Sequence, residues 1–256
     1  LKSIATNQNG GNLVEIYVPK TLQTLSLKNQ YSLTTVGIPG ANTLETTKVK
    51  DLRDYASAIT SFTLVNCPKV ERLNYAKNFT TNSPFFDNFA NERRANELDY
   101  LEYPEGEWKR MMAWGNGLAN AVNIYMENSC LNVPGMSFRG ISNLTDLTLR
   151  DMSGLKCLML GANCCGYRTN DEGTKYAEKF DTYSEFDWDN HLTILDCDNI
   201  EEFRLHEMYP NGYADGTTGN LSYFTFKEGT NTLNLADKFP NLKVFECNLP
   251  TQNIHQ

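Results

Sequence analysis

Histidine is scarce in this 256-residue chain, at three residues. None of the three stands in a G-x-S-x-G or H-E-x-x-H context, so serine-hydrolase and zincin motifs are missing. No P-loop and no dinucleotide fingerprint occurs either. The cysteines, seven in all, contain no C-x-x-C, which removes zinc knuckles and thioredoxin-like motifs. No apolar run reaches the roughly 18 residues that a membrane-spanning helix needs, and no basic segment followed by an apolar one opens the chain at Leu1. Positive charge is also short. Lys and Arg number 23 against 31 Asp and Glu, for a net charge of −8. Neutralising a phosphate backbone needs a basic surface, so nucleic acid is not an expected partner.

What the chain does have is 40% hydrophobic and 21% charged residues, the balance of a packed protein. It is also rich in Asn (29), Leu (28) and Thr (24). The leucines carry a pattern. L-x-x-L-x-L occurs with all three leucines at Leu22/Leu25/Leu27, Leu144/Leu147/Leu149 and Leu155/Leu158/Leu160, where composition alone predicts roughly 0.3 matches. Looser matches agree in spacing. Leu22, Leu33 and Leu44 start matches eleven residues apart, as do Ile59 and Val70, and Leu144 and Leu155. Leu192/Leu195/Cys197, Ile200/Phe203/Leu205, Leu221/Phe224/Phe226 and Leu242/Phe245/Cys247 continue the theme irregularly. Two such steps make a coil of about 22 residues, within the range of leucine-rich repeats.

Asparagine supplies an independent phase. Two residues past the last apolar position come Asn29, Asn66, Asn128, Asp151 and Asn199. There the chain must turn out of a strand, and a side-chain amide can bond the exposed backbone of neighbouring turns. In L-x-L both leucines point to one face of a short strand and the residue between them points outward. The outward row is then Ser26, Thr63, Tyr125, Thr148, Met159, Asp196, Arg204, Thr225 and Glu246. Such a mixed polar and aromatic row suits a contact surface, although strand exteriors favour Thr and Tyr in any case.

Two stretches break the period, at about 77–120 and 163–190. The first reads as a helix from Asn88 to Tyr103, ending before Pro104, and a second short helix from Glu107 to Trp114, stopped by Gly115-Asn116-Gly117. The second stretch is polar. A further loop at Tyr209–Gly216 has a cluster of turn residues. Trp108, Trp114 and Trp188 all fall in the interruptions, where an aromatic side chain either anchors a partner or pins the insertion to the repeats. Tyr125, Arg204, Trp108 and Trp188 are accordingly the candidate ligand-binding residues.

Catalytic candidates are few. His206-Glu207 alone is not a site. Asp187-Trp188-Asp189-Asn190, Asp196-Cys197-Asp198-Asn199 and Glu201-Glu202 offer clustered oxygens, but no EF-hand spacing. The reading is a solvated acidic face, with no metal, cofactor or catalytic residue implied. Cys197 and Cys247 sit where leucine otherwise stands, and Cys67 and Cys130 just past a strand, so buried thiols are expected. Cys164 and Cys165 lie in an insertion and have no assignment.

With Ile16-Tyr17-Val18-Pro19-Lys20-Thr21-Leu22-Gln23-Thr24-Leu25-Ser26-Leu27-Lys28-Asn29 and Ile59-Thr60-Ser61-Phe62-Thr63-Leu64-Val65-Asn66-Cys67-Pro68, the chain resembles degenerate leucine-rich-repeat proteins. The likeness is to Asn- and Thr-rich repeats of gut Bacteroidetes surface proteins and of virion proteins of the crAss-like phages that infect those bacteria. It covers about 150 residues and carries no functional residue over. It implies an α/β, β-rich, irregular leucine-rich-repeat-like solenoid with a helical insertion, forming one elongated domain over 1–256. The expected role is a non-enzymatic interaction or adhesion module, extracellular or on the cell surface, with a protein or glycan partner and as a monomer. The alternatives are a virion scaffold that contacts neighbouring copies, and a polysaccharide-acting β-solenoid enzyme. The in/out phase predicts that Leu147→Asp unfolds the chain by placing a charge in the shared core, whereas Thr148→Asp leaves the circular dichroism spectrum unchanged. Equal behaviour of the two variants would overturn the phase.

Overall fold

The computed structural model describes residues 1–6, 11–39, 56–73, 111–113, 115–138, 141, 144–161, 166–168, 184–186, 192–206, 224–226 and 238–247. Its strands are β1 (Ser3–Thr6), β2 (Glu15–Tyr17), β3 (Thr24–Lys28), β4 (Thr35–Gly37), β5 (Ser61–Val65), β6 (Met111–Ala113), β7 (Asn123–Glu127), β8 (Gly135–Ser137), β9 (Asp146–Arg150), β10 (Cys157–Gly161), β11 (Gly166–Arg168), β12 (Ser184–Phe186), β13 (Leu192–Leu195), β14 (Glu202–His206), β15 (Phe224–Phe226) and β16 (Val244–Cys247). One short helix, α1 (Gly115–Leu118), lies between β6 and β7.

The described residues are β-rich, with parallel strands and almost no helix. A first sheet orders six strands as β1-β3-β5-β7-β9-β13, and a second orders five as β6-β8-β10-β14-β16. All of these neighbours pair in parallel. β2 and β4 form a parallel pair, which a bridge from Thr35 to Arg72 extends. The chain alternates between the sheets and returns one strand further along, an arrangement compatible with a β-solenoid. Successive starts at Asn123 and Asp146, and at Gly135 and Cys157, give about 22 residues per coil.

The eleven-residue step therefore has a direct meaning: each coil carries the leucine template twice, once for each sheet. Leu25, Phe62, Ile124, Leu147 and Leu192 stand side by side in the first sheet, and Met112, Met136, Leu158, Phe203 and Phe245 in the second. The leading residue of the template closes a turn. The N–H of Leu22, Leu33, Val70, Leu144, Leu155 and Ile200 each donates to the carbonyl three residues back, at 3.0–3.3 Å. All six side chains are buried. The L-x-x-L-x-L spacing is thus one turn residue followed by two inward strand residues. A single core cluster runs through the stack from Val18 to Phe239.

At the corners after β3, β5, β7, β9 and β13 the backbone turns left-handed. Asn29, Asn66, Asn128, Asp151 and Asp196 have φ of 57°, 52°, 43°, 50° and 53°. Asn and Asp tolerate this region better than other side-chain-bearing residues. The first four donate their backbone N–H to the next coil, at 2.9–3.0 Å. The asparagine side chains bond one another rather than backbone: Asn128 Nδ2 donates to Asn66 Oδ1, and Asn66 Nδ2 to Asn29 Oδ1, both at 2.9 Å. The fifth corner residue is Asp196, not Asn199, whose amide donates instead to the Ser153 carbonyl at 2.7 Å.

The residue after each corner points inward. Cys67, Ser129 and Cys197 donate from a thiol or hydroxyl to the strand carbonyl of the preceding coil, at Leu27, Leu64 and Leu149 respectively. Each also reaches the carbonyl two residues back. Coil four has one extra corner residue, Cys130, with φ 55°. This displaces the Leu131 backbone so that a Cβ on Gly154, one coil on, would collide with the Leu131 carbonyl. Glycine is required at that position.

Several expectations change. Residues 111–113 of the expected Glu107–Trp114 helix form strand β6, and the glycines expected to stop it begin α1. The helical half of the α/β expectation is not seen among the described residues. About eleven residues must hold a half-coil's strand and its corner, and the second template has a period of two, so a strand forms where a helix would not fit. The first insertion ends before Met111 and not at Asn120, since Asn120 Nδ2 already donates to the Ser57 carbonyl at 2.9 Å within the repeat. The strand around Thr225 joins neither main sheet: β15 pairs in parallel with β12, which pairs antiparallel with β11. The expected helix at Asn88–Tyr103, the match at Leu44 and the loop at Tyr209–Gly216 lie outside the described residues.

The corner ladder predicts a graded response. Asn66→Ala loses two side-chain bonds and keeps a Cβ at positive φ, which should cost about 1–3 kcal/mol in urea unfolding. Asn66→Gly relieves the backbone and should cost less. Equal costs would show that the amide ladder, and not the backbone, carries the corner.

Candidate contact face

The first sheet presents an outward side made of three rows. Its central row is Ala5, Ser26, Thr63, Tyr125, Thr148 and Thr193, in register across all six strands. Parallel pairing sets these side chains about 4.8 Å apart. From Ser26 to Thr193 each is half-buried by its neighbours, so the row is a firm surface of hydroxyls around one aromatic ring. Beside it run Lys28, Val65, Glu127, Arg150 and Leu195 on one flank, and Thr24, Ser61, Asn123 and Asp146 on the other.

Tyr125 is the centre of this face. Its hydroxyl donates to Glu127 Oε2. That hydrogen bond, followed by partial burial, holds the phenol above its usual pKa, so the ring remains neutral. Arg150 lies across the same corner, with Nε 3.5 Å from Asp151 Oδ2. The nearby carboxylates of Glu127 and Asp151 strengthen its positive form. The charges of the face are therefore balanced among themselves, and the central row is uncharged.

Arg204 differs from its expected place. It and Met159 are on the outer side of the second sheet, in register with Ser137, but that side is covered. Met159 and Ser137 are buried, and Arg204 is 7% exposed. Arg204 Nε and NH2 donate to Glu202 Oε2 at 3.1 and 2.7 Å. Two charges removed from water must satisfy one another, which makes this pair a structural tie and not a docking arm. Glu246 is in register with Arg204 on β16. Asp196 is a corner residue and not an outward one; the outward residue of β13 is Thr193. The expected alternation lies three residues late there, because Leu195 and Cys197 fit it as well as Leu192 and Ile194 do. The in-register neighbours Leu147 and Leu149 decide between the two. Trp108 and Trp188 lie outside the described residues.

The buried cysteines are free thiols at Cys67, Cys130, Cys157 and Cys197. Burial pushes Cys67 and Cys197 up to about 11 and Cys157 to about 12, and raises Cys130 as well. A thiol held in its protonated form is a poor nucleophile, so none of the four is equipped for covalent catalysis. No family model, curated protein or solved structure matches the chain.

The thiols predict a pH dependence. Unfolded cysteine ionises near 9 while these do not, so their contribution is complete below about pH 9 and declines as pH rises toward 11–12. Urea midpoints should fall between pH 8 and pH 10.5, and Cys197→Ser should reduce the fall. A fall of the same size in that variant would remove Cys197 from the explanation.

Proposed function

We propose that the chain is a leucine-rich-repeat-like solenoid that acts as a non-enzymatic interaction or adhesion module, displayed outside the cell or on a virion. The observation that supports this reading is the outward row of the first sheet. Uncharged hydroxyls and one pinned tyrosine stand in register on five hydrogen-bonded strands, β3, β5, β7, β9 and β13. A surface already held by its backbone loses little conformational entropy when a partner binds. Rigid aromatic and hydroxyl side chains suit either a protein or a glycan.

Covered second-sheet residues point the same way by elimination. Among the described residues the Arg204–Glu202 pair and the Cys157 thiol of the second sheet are covered, and the first sheet is the side whose central row reaches water. The partner is met by contact and not transformed.

A glycan array and a host-cell binding assay with the purified chain test this reading. Tyr125→Ala should weaken whatever binding is found by at least about tenfold, a loss of about 1.4 kcal/mol, with an unchanged circular dichroism spectrum. Full binding by Tyr125→Ala and by Thr63→Lys would remove the first-sheet face from the interaction.

A further inference from the structure

Four buried thiols occur among the described residues, and they are not equally placed. Cys157 is on the outer side of the second sheet, in register with Gly135 and Glu202. Cys67, Cys130 and Cys197 stand at corners, after β5, β7 and β13 respectively. β5 and β7 are neighbours in the first sheet, whereas β9 separates β7 from β13. The coil spacing therefore puts Cys197 about 10 Å from Cys130, beyond the roughly 7 Å between Cα atoms that a disulfide spans. Cys67 and Cys130 are one coil apart.

Backbone hydrogen bonds fix that pair. The N–H of Cys130 donates to the Cys67 carbonyl at 3.2 Å, and the N–H of Leu131 to the Pro68 carbonyl at 2.9 Å. The N–H of Cys67 donates in turn to Ser129 Oγ at 3.0 Å. Chains joined in this way hold facing Cα atoms about 5–6 Å apart, inside the range that disulfides adopt. Both side chains belong to the core cluster, at 0% and 1% exposed. Burial first, and the nearby Cys67 sulfur second, raise the Cys130 thiol, so the two sulfurs share one environment. Cys130 is also the extra residue of its corner, at φ 55°. Left-handed backbone is uncommon for a residue other than Gly, Asn or Asp. Strain of this kind persists where the surroundings enforce it, and it gathers at functional positions. A thiol beside Cys67 is what that corner gains.

We propose that Cys67 and Cys130 are a redox pair, which a small disulfide such as oxidised glutathione converts to a disulfide joining adjacent coils. The thiolate of one cysteine attacks a sulfur of the small disulfide and expels one small thiolate. The other cysteine then attacks the protein sulfur of the mixed disulfide and expels the second. Two protein thiols and one small disulfide become one protein disulfide and two small thiols. The two protons pass to the expelled sulfurs, and the protein loses two electrons. Buried, protonated thiols react poorly, so exchange takes place before the corner closes in folding or when it opens. On linking, the Cys67 sulfur gives up the Leu27 and Val65 carbonyls, at 3.8 and 3.4 Å, and turns toward Cys130. The bond ties the coils on either side of the long connection from β5 to β6, and closing a long loop restricts the unfolded chain most. Tyr125 and its row take no part, so this inference and the proposed contact face fail independently.

Equilibrating the full chain with oxidised glutathione near its urea midpoint, where the corners open and close, and then diluting the urea tests this. Circular dichroism verifies the folded state. After acid quenching and unfolding, free thiols are alkylated and the digest is read by mass spectrometry. Cys67 and Cys130 should escape alkylation and appear in one linked peptide pair. The urea midpoint of the linked chain should exceed that of the chain treated with reduced glutathione. Cys130→Ala and Cys67→Ala should each lose both the link and the rise in midpoint; the wild-type digest stands without them if either fails to fold. A folded wild type in which Cys67 and Cys130 are both alkylated, or both carry glutathione, overturns the inference. So does a link from either to another cysteine, or a midpoint that falls on linking, since the native corner would then not fit the bond.

Discussion

Each coil must return to its starting point displaced by one strand spacing, about 4.8 Å, and the rest of the structure depends on that closure. The requirement falls on the corners after β3, β5, β7, β9 and β13. Asn29, Asn66, Asn128, Asp151 and Asp196 accept a left-handed backbone there, and the first four pass an N–H to the coil beyond. Once this corner is set, the inward residues meet in register and the core becomes continuous. The next residue reinforces it from inside, as Cys67, Ser129 and Cys197 bond a carbonyl of the preceding coil. Leucine, with no donor, could not make that bond. This accounts for cysteine and serine at a buried position, and for the long chain separations these bonds span.

The two corners of a coil are under different constraints. The connections from β7, β9 and β13 to the next second-sheet strand are short, from Glu127 to Gly135, from Arg150 to Cys157 and from Leu195 to Glu202. The long connection between Gly161 and Leu192 leaves instead from a second-sheet strand. A corner whose backbone and side chains both bond the neighbouring coils leaves little room for extra residues. Even one additional residue, Cys130, has a consequence a coil away, at Gly154. Length itself costs little in the long connections, because loop-closure entropy grows slowly with it.

This asymmetry explains what was readable in the sequence. The L-x-L alternation and the asparagine phase are local, because strand period and left-handed tolerance belong to single residues. Tyr125, Thr63 and Thr148 were therefore placed correctly as outward residues. Features that depend on distant chain were not readable. Arg204 has the same alternation as Thr148, and nothing beside it in sequence says that its side of the sheet is covered. In β13 the template fitted at two offsets, and only pairing with Leu147 and Leu149 separates them. The second sheet was in fact written in the sequence as the repeated eleven-residue step. The resemblance to leucine-rich repeats favoured helices in its place.

On the sides of the stack, strand alternation separates inward from outward residues, so the first sheet presents a hydroxyl row while its leucines stay buried. Within that row Tyr125 alone carries a ring, and its bond to Glu127 fixes the phenol where strand pairing has already fixed the backbone. A partner meeting the row would order little that is not ordered already, so weak contacts spread over several strands would add without a deep pocket.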